Sequence, residues 1–257
     1  HQTPLVEVVM PDNKSFLYAK VQPEDARAIV MRHFKVGGMT RRISNSLSQA
    51  LDRILTDEES LPVTRYSINV REKPVADFLG RQKHIATEHR GVIDPVDIDE
   101  YLSHDGFKAL RKCIREMSPE EIITEMEHSG LRGRGGAGYP THRKWSAVRG
   151  QQADKKFVVC NGDEGDPGAF MDRMLMESYP YRIIEGMTIA AYTVGAEQGY
   201  FYIRGEYPLA TERISQAMEN AAQHGFLGDN ILGSGFSLRL KIVPGAGAFV
   251  CGEETAL

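Results

Sequence analysis

The chain has 257 residues, of which 41% are hydrophobic and 26% are charged, and its formal net charge is −4. A chain of this length and composition can bury a core, and its small negative charge gives no general attraction to nucleic acid or to an anionic membrane. No apolar run is long enough to span a membrane, and the amino terminus lacks the layout of a signal peptide. We therefore expect a cytoplasmic protein with no direct membrane insertion.

The three cysteines, Cys113, Cys160 and Cys251, are far apart and set mostly in apolar strings. This spacing predicts buried thiols rather than a disulfide framework. Because the sequence has no C-x-x-C motif, the chain cannot supply four cysteine ligands to an iron–sulfur cluster. We expect no metal site in this chain.

The amino-terminal third is predicted to hold a hairpin, a short helix and an extended connector. Leu5 to Met10 and Ser15 to Val21 alternate like two strands around a turn, and a helix is predicted to start at Pro23. From Arg41 to Arg90 the signals weaken, apart from a possible helix at Ser44 to Leu55.

Three helices are predicted before a glycine-rich loop. The first begins near Asp94, where acidic residues occupy the first turn, and the second covers Gly106 to Met117. The third begins with a capping box at Ser118 to Glu121 that has proline at the first helical position, and Gly130 is expected to end it.

The glycine-rich loop narrows the function more than any other feature. From Leu131 to Trp145 it reads Leu-Arg-Gly-Arg-Gly-Gly-Ala-Gly-Tyr-Pro-Thr-His-Arg-Lys-Trp. Glycines this dense are expected where the backbone needs positive φ or where a flat or phosphate-bearing ligand lies against bare backbone. Gly133, Gly135 and Gly138 also satisfy G-x-G-x-x-G, but that fingerprint requires a preceding strand. Because a helix is predicted there, an ordinary Rossmann turn is disfavoured.

The rest of the chain alternates strands and helices. Strands are predicted at Phe157 to Cys160, Gly199 to Arg204 and Leu238 to Val243. The first strand is continuously apolar, which is typical of a strand buried in a parallel sheet. One helical stretch starts at Phe170 and restarts around Tyr181, and another covers Pro208 to His224. The alternation predicts an α/β fold with a mostly parallel sheet and flanking helices.

Two loops that combine glycine with acidic residues follow predicted strands, at Asn161 to Gly168 and at Gly252 to Glu254. We expect both to converge with the glycine-rich loop, because the carboxyl ends of parallel strands lie at one edge of a sheet. Carboxylates only accept hydrogen bonds, which suits sugar hydroxyls and the N–H groups of a heterocycle. Backbone N–H groups of the glycine-rich loop, with Arg134 and Lys144, suit an anionic or electron-rich group. The set indicates a flavin or nicotinamide pocket.

Plainer interpretations exist for several of these features. Acidic turns on a surface are usually only solvated, and the loop at Asn161 to Asp166 looks like a calcium loop but lacks the terminal bidentate glutamate. Trp145 is expected to pack against the core, whereas Tyr139, which lies inside the glycine-rich loop, is expected to face a ligand.

Three separated motifs resemble those of the FMN- and NADH-binding flavoprotein family of respiratory complex I. The motifs are Gly130 to Thr141 with Lys144-Trp145, Asn161 to Phe170 with Asp172-Arg173, and Gly245 to Leu257. The string Gly-Asp-Glu-Gly-Asp-Pro-Gly at residues 162–168 is closest to the NAD-linked subunits of soluble hydrogenases, formate dehydrogenases and electron-bifurcating complexes.

The resemblance implies a Rossmann-like FMN domain and a division of the chain into three parts. Residues 1–38 would be the carboxyl-terminal remnant of a thioredoxin-like [2Fe-2S] domain, residues 39–105 a connector, and residues 106–257 the amino-terminal part of the FMN- and NADH-binding domain. It also implies a fragment that is truncated at both ends. The [4Fe-4S] and [2Fe-2S] clusters of the family would then lie in the missing parts or in partner subunits.

The resemblance further implies two sets of cofactor-binding residues. The FMN set is Gly133, Arg134, Gly135, Gly136, Lys144, Asn161, Asp163, Glu164, Gly165, Gly252, Glu253 and Glu254. The NADH set is Tyr139, Lys144 and Asp166. No catalytic side chain is implied, because hydride transfer depends on the stacking of the two cofactors.

The function expected from the resemblance is NADH:acceptor oxidoreduction. A hydride would pass from NADH to FMN, and single electrons would continue to iron–sulfur partner subunits of a larger redox complex. Two other classes stay open. One is a catalytically incomplete interaction module of such a complex, and the other is a non-redox nucleotide binder, which the absence of a G-K-[ST] ending disfavours.

Overall fold

A computed structural model of the chain describes residues 5–9, 15–19, 21, 23, 25–26, 29–30, 81–89, 92–253 and 256. The chain divides into two compact units, His1–Lys83 and His84–Leu257. The helix predicted at Ser44 to Leu55 and residues 39–80 of the predicted connector lie outside the described residues. Elements are numbered below among the described residues.

The described part of the first unit contains a β-hairpin. Strand β1 covers Leu5–Val9 and strand β2 covers Ser15–Ala19. The two strands are antiparallel, with Leu5 opposite Ala19 and Val9 opposite Ser15. This confirms the predicted hairpin, and residues 25–26 and 29–30 are helical where the sequence predicts a short helix after Pro23. The thioredoxin-like assignment of residues 1–38 stays a prediction.

Four helices open the second unit. They are α1 (Ile98–Ser103), α2 (Lys108–Glu116), α3 (Pro119–His128) and α4 (Thr141–Gly150). The first begins later than predicted, because Asp97 accepts from the N–H groups of Asp99 and Glu100 and so caps the helix. Asp94 instead accepts from the N–H of Val96 in the turn before it.

Helix α3 has the termini that the sequence predicts. The Ser118 hydroxyl accepts from the N–H of Glu121, and the Glu121 carboxylate accepts from the N–H of Ser118, which completes the capping box. Gly130 follows the helix at φ 65°, in the left-handed region that favours glycine. The glycine-rich loop therefore leaves a helix and not a strand, as predicted, so it is not a Rossmann turn; helix α4, which follows the loop, is not predicted from the sequence.

The carboxyl-terminal half forms a three-stranded parallel sheet in the order β3-β4-β5. Its elements are β3 (Phe157–Gly162), α5 (Met171–Ser178), α6 (Pro180–Val194), β4 (Gln198–Arg204), α7 (Pro208–Gln223) and β5 (Arg239–Gly245). A 3₁₀ turn at Phe249–Gly252 follows β5. The α/β class, the parallel sheet and the flanking helices are confirmed.

The core lies between one face of this sheet and its helices. Phe201 and Ile203 of β4 are fully buried in one hydrophobic cluster with Ile184 of α6 and Ile214 of α7. Trp145 of α4 packs against the same cluster, which confirms the packing interpretation of that residue.

Strand β3 is not the buried strand that its apolar run predicts. Phe157 and Val159 are 46% and 50% exposed, whereas Val158 and Cys160 pack against the core cluster. Successive side chains of a strand point to opposite faces of the sheet. Because the core cluster covers one face of β3, Val158 and Cys160 are partly buried on that face, whereas Phe157 and Val159 point to the opposite face.

The three thiols are only partly as the sequence predicts. All three are free, as expected, but only Cys113 is fully buried, and Cys160 and Cys251 are partly buried. Cys160 lies near the end of β3 on the face that packs against the core, and Cys251 lies in the 3₁₀ turn after β5.

A buried carboxylate joins three helices of the second unit. Glu185 of α6 accepts from the Tyr101 hydroxyl at 2.7 Å, from the N–H of Phe107 at 2.9 Å and from the N–H of Leu110 at 3.0 Å. Phe107 is the N-cap residue of α2, in a left-handed conformation and without a side-chain cap of its own. Glu185 thus caps α2 from a neighbouring helix and binds Tyr101 of α1. Burial, followed by the charge of Glu185, raises the pKa of Tyr101.

Replacing Glu185 by alanine should destabilise the second unit strongly. Two buried N–H groups and a partly buried hydroxyl would lose their acceptor, so we expect the free energy of unfolding to fall by about 3 kcal/mol. Urea denaturation followed by far-UV circular dichroism measures this change. The matched control is Glu219→Ala at an exposed position of α7, which should change the same quantity by less than about 0.5 kcal/mol. Equal effects of the two substitutions would contradict the role of Glu185.

Candidate functional site at the carboxyl edge of the sheet

Three loops leave the carboxyl ends of the parallel strands. Asn161 and Gly162 end β3 and residues 163–168 follow it, Gly205 to Tyr207 follow β4, and Ala246 to Glu253 follow β5. The edge at which parallel strands end is where open α/β sheets place their ligands. The candidate site therefore lies among these loops.

The loops after β3 and β5 are held together by one asparagine. The Asn161 side-chain N–H groups donate to the carbonyl oxygens of Cys251 and Gly252, with N···O distances of 3.2 and 3.1 Å. The Asn161 side-chain oxygen accepts from the N–H of Asp163 at 3.1 Å. The two acidic loops converge as predicted.

Glycines allow this close approach. A β-carbon added at Gly165 would lie 2.8 Å from the Phe249 ring, and one added at Gly252 would lie 3.2 Å from the carbonyl oxygen of Asp163. A side chain at Gly165 would therefore require the ring of Phe249 to move. Absence of a β-carbon, and not backbone flexibility, is what these two positions require.

Asp163 is the most unusual residue of the site. It is only 3% exposed, and neither carboxylate oxygen has a hydrogen-bond partner among the described residues. A β-carbon added at Gly245 would lie 3.4 Å from one of these oxygens, so the glycine keeps the space beside the carboxylate open. Buried polar groups without partners are rare in folded proteins, and a ligand that donates hydrogen bonds is one explanation.

Glu164 uses its carboxylate to cap a helix. Its two oxygens accept from the N–H groups of Asp172 and Arg173, at 3.1 and 3.2 Å, in the first turn of α5. The negative charge is favourable there, because the first N–H groups of a helix have no partner within it. Burial, followed by the charge of Glu164, raises the pKa of Asp172.

The glycine-rich loop closes on itself between α3 and α4. The N–H of Gly133 donates to the carbonyl of Tyr139 at 2.9 Å, and the Arg132 guanidinium donates to the carbonyl of Gly138 at 2.9 Å. Added β-carbons at Gly135, Gly136 and Gly138 would meet open space. The loop thus presents bare backbone to the outside, which a flat ligand could contact. The expected contact between the glycine-rich loop and the acidic loops stays a prediction.

Four other predicted site residues are exposed, and a fifth is not described by the structure. Arg134 and Tyr139 are exposed in the glycine-rich loop, and Asp166 and Glu253 are exposed in the two acidic loops. Glu254 lies outside the described residues.

Lys144 lies on α4 beside a cavity of about 430 Å³. Trp145 and Val148 of α4, four residues of β3 and part of α6 form the other walls of this cavity, and Cys160 is among them. Burial, with a smaller effect of the charge of Asp172, raises the pKa of Cys160 to about 12.

Sequence reasoning missed the contribution of β4 to the site. Arg204, its last residue, donates to the carbonyl of Glu164 at 2.6 Å and pairs with the Glu206 carboxylate at 2.9 Å. The guanidinium groups of Arg204 and Arg173 both lie over the ring of Tyr207. The string Arg-Gly-Glu-Tyr at residues 204–207 could have indicated this contribution, because it lies at the end of a strand, at the same edge as the acidic loops.

Residues 126–257 match the model of the Nuo51 FMN-binding domain family. The chain belongs to this family. The matched part begins in α3 and includes the glycine-rich loop, both acidic loops and the whole parallel sheet.

Curated relatives of this Nuo51 FMN-binding domain chain are oxidoreductase components by name. The NADP-reducing hydrogenase subunit HndC of Solidesulfovibrio fructosivorans is 50% identical over 177 residues, which are 69% of this chain and 36% of that protein. An NADH-quinone oxidoreductase subunit of Aquifex aeolicus (strain VF5) is 51% identical over 160 residues, which are 62% of this chain and 37% of that protein. The chain thus spans little more than a third of the length of these relatives.

A solved structure shares the fold. The crystal structure of an NAD+-reducing [NiFe]-hydrogenase in the air-oxidized state matches with a TM-score of 0.52 and 32% identity, over 68% of this chain and 27% of that one. No helix among the described residues of this Nuo51 FMN-binding domain chain is long and apolar enough to cross a membrane.

Asn161→Ala should loosen the contact between the acidic loops. The substitution removes the donor to Cys251 and Gly252 and the acceptor for Asp163, so we expect a loss of about 1 to 2 kcal/mol in unfolding free energy. Amide exchange of Asp163, measured by mass spectrometry of peptides from 157–168, should accelerate. The control Gln152→Ala changes an exposed amide and should leave both quantities unchanged. Unaltered exchange in Asn161→Ala would contradict the link.

The raised pKa of Cys160 gives a dependence of stability on pH. The folded thiol keeps its proton above pH 8.5, where an unfolded thiol loses it, so the stabilisation is full below about pH 8.5 and declines as the pH rises towards 12. Between pH 8 and pH 10 the wild-type chain should lose about 1 to 2 kcal/mol more unfolding free energy than Cys160→Ala. Parallel losses in the two proteins, measured by urea denaturation, would contradict the assignment.

Proposed function

We propose that the chain forms one side of an FMN site at which NADH is oxidised. A flavin bound there would supply acceptance of a hydride from NADH and release of single electrons, which would go to iron–sulfur clusters of partner subunits. Membership of the Nuo51 FMN-binding domain family and the names of the relatives support this proposal. The observation that carries it is the buried Asp163 carboxylate, whose two oxygens are without partners among the described residues.

The site fits the chemistry of a flavin mononucleotide. An ionised carboxylate is only an acceptor, and the ribityl chain of FMN carries hydroxyl donors that can satisfy it. The space beside the carboxylate is kept open by Gly245. We propose that Asp163 accepts from the ribityl hydroxyls, and that the glycine-rich loop offers backbone to the flat or anionic part of the cofactor.

The remaining residues of the predicted sets have distinct parts in this proposal. Asn161 and Glu164 hold the acidic loops in place, through the loop after β5 and the first turn of α5. Gly165 and Gly252 permit the close approach of the loops. The proposed FMN site consists of Gly133, Arg134, Gly135, Gly136, Lys144, Asn161, Asp163, Glu164, Gly165, Gly252, Glu253 and Glu254. The residues proposed for NADH are Tyr139, Lys144 and Asp166.

The chain binds and orients, and the bound flavin supplies hydride acceptance and one-electron release. Tyr139 is half exposed in the glycine-rich loop, where its ring can limit the position of a nicotinamide nucleotide. No general base is needed, because no proton is abstracted from carbon. Exact placement of the two reactants is then what the residues contribute to the rate.

The names of the relatives, which are subunits of hydrogenases and quinone oxidoreductases, support a place in a multisubunit redox complex. We propose iron–sulfur subunits as the electron acceptors and a cytoplasmic location.

We also propose that residues 106–257 are the amino-terminal part of the FMN- and NADH-binding domain. Residues 39–105 connect this part to residues 1–38, which derive from a thioredoxin-like domain.

FMN titration of the purified chain tests the site. Asp163→Asn should weaken FMN binding by about tenfold, because a neutral amide is a poorer acceptor for hydroxyl donors than a carboxylate. The same substitution removes a buried unpaired charge, so the FMN-free variant should be at least as stable as the wild-type chain. Flavin fluorescence gives the affinity, and urea denaturation gives the stability.

The control for this titration is Asp229→Asn, which changes an exposed carboxylate at the other end of β5. It should leave the affinity unchanged. A wild-type chain without FMN affinity, or an Asp163→Asn chain with wild-type affinity, contradicts the proposed site. FMN binding without bleaching of the flavin absorbance by NADH would favour the interaction module over the oxidoreductase.

A further inference from the structure

Asp163, the acceptor of the proposed FMN site, has a fixed residue on each side. Its own N–H donates to Asn161, and Glu164, the next residue, is held both through its carboxylate and through its carbonyl. The carboxylate of Glu164 binds the first turn of α5, and its carbonyl accepts from Arg204.

Two groups donate to this carbonyl, and Arg204 of β4 makes the shorter contact, because the Tyr207 hydroxyl lies 3.5 Å from the same oxygen. The Arg204 side chain is 20% exposed, and the guanidinium donor lies 2.6 Å from the Glu164 oxygen. The other guanidinium nitrogens face the Glu206 carboxylate, at 2.9 and 3.4 Å, and the guanidinium also lies over the ring of Tyr207. Because the Glu206 carboxylate and the Tyr207 ring both hold the planar guanidinium, its remaining donor has little freedom to move away from the Glu164 carbonyl.

The peptide that Arg204 holds is the one before Gly165. Gly165 packs against the Phe249 ring but has no β-carbon to restrict its backbone. Without the contacts to the Glu164 carbonyl this peptide, and with it the loop that carries Asp163, could therefore rotate as the ring moves. Rotation would allow the buried Asp163 carboxylate to turn towards water, which is favourable for an unpaired charge. We propose, in a step that rests on the proposed function, that Arg204 is a positioning residue that opposes this rotation and keeps the Asp163 carboxylate directed into the site.

These contacts separate two roles within the predicted FMN set, namely support of the loop and contact with the ligand. Glu164 already has both carboxylate oxygens engaged with α5, so it acts together with Arg204 as part of the support. Asp163 is the acceptor that remains available to a ligand. The support comes from β4 and α5, and the ligand contact comes from the loop after β3.

The test uses Arg204→Met and Arg204→Lys, each alone and combined with Asp163→Asn. In the FMN-free chain, Arg204→Met should accelerate amide exchange at Asp163, Asp172 and Arg173 by about tenfold, because the loop that is released carries Asp163 itself and the Glu164 carboxylate that accepts from the other two amides. It should also weaken FMN binding by about tenfold, and Arg204→Lys, which keeps one donor, should recover part of both losses. With Asp163→Asn already present, Arg204→Met should weaken binding by less than about twofold further.

The matched control is Arg239→Met, which removes an exposed arginine at the start of β5 that pairs with Asp229. It should change neither exchange at the three amides nor FMN affinity. Unchanged exchange in Arg204→Met, or equal losses of affinity with and without Asp163→Asn, would overturn the positioning role. A wild-type chain that binds no FMN overturns the proposed function instead, and the exchange measurement then still decides whether Arg204 holds the loop.

Discussion

Parallel pairing of the three strands is the constraint on which the site depends. The register sets Gly162 opposite Ile203 and Arg204 opposite Gly245, so all three strands end at one edge of the sheet. The acidic loops and Arg204 leave from that edge. A slip of one residue in this register would turn each side chain to the opposite face and would separate Arg204 from the carbonyl of Glu164.

The carboxylates of the second unit show two opposite uses of burial. Glu185 is buried with three donors and joins α1, α2 and α6. Asp163 is also buried but has no donor to its carboxylate among the described residues. The first arrangement stabilises the fold, whereas the second is unfavourable by itself and is tolerated only where the surrounding structure holds it. Such a contrast within one unit is typical of a scaffold that supports a binding site.

Local patterns in the sequence predict most of the elements, and long-range partners explain the rest. The capping box of α3 and the three strands depend on neighbouring residues, so the sequence pattern is sufficient. The roles of Glu185 and Arg204 depend on partners far away in the chain, such as Tyr101 and Glu164, and no local pattern specifies these. The exposure of Phe157 depends on which face of β3 packs against the core, and the apolar run of the strand does not reveal this.

The hydrogen bond from Asn161 to Gly252 connects residues that are 91 positions apart. Contacts of such long range form late in folding, because the entropy of closing the intervening loop is lost before the contact is gained. During synthesis on the ribosome, Asp163 emerges long before Cys251 and Gly252, so its carboxylate is hydrated at first. The dehydration of Asp163 must follow the addition of β5 to the sheet. A chain interrupted before β5 would therefore lack this desolvated pocket, even with β3 and β4 already paired.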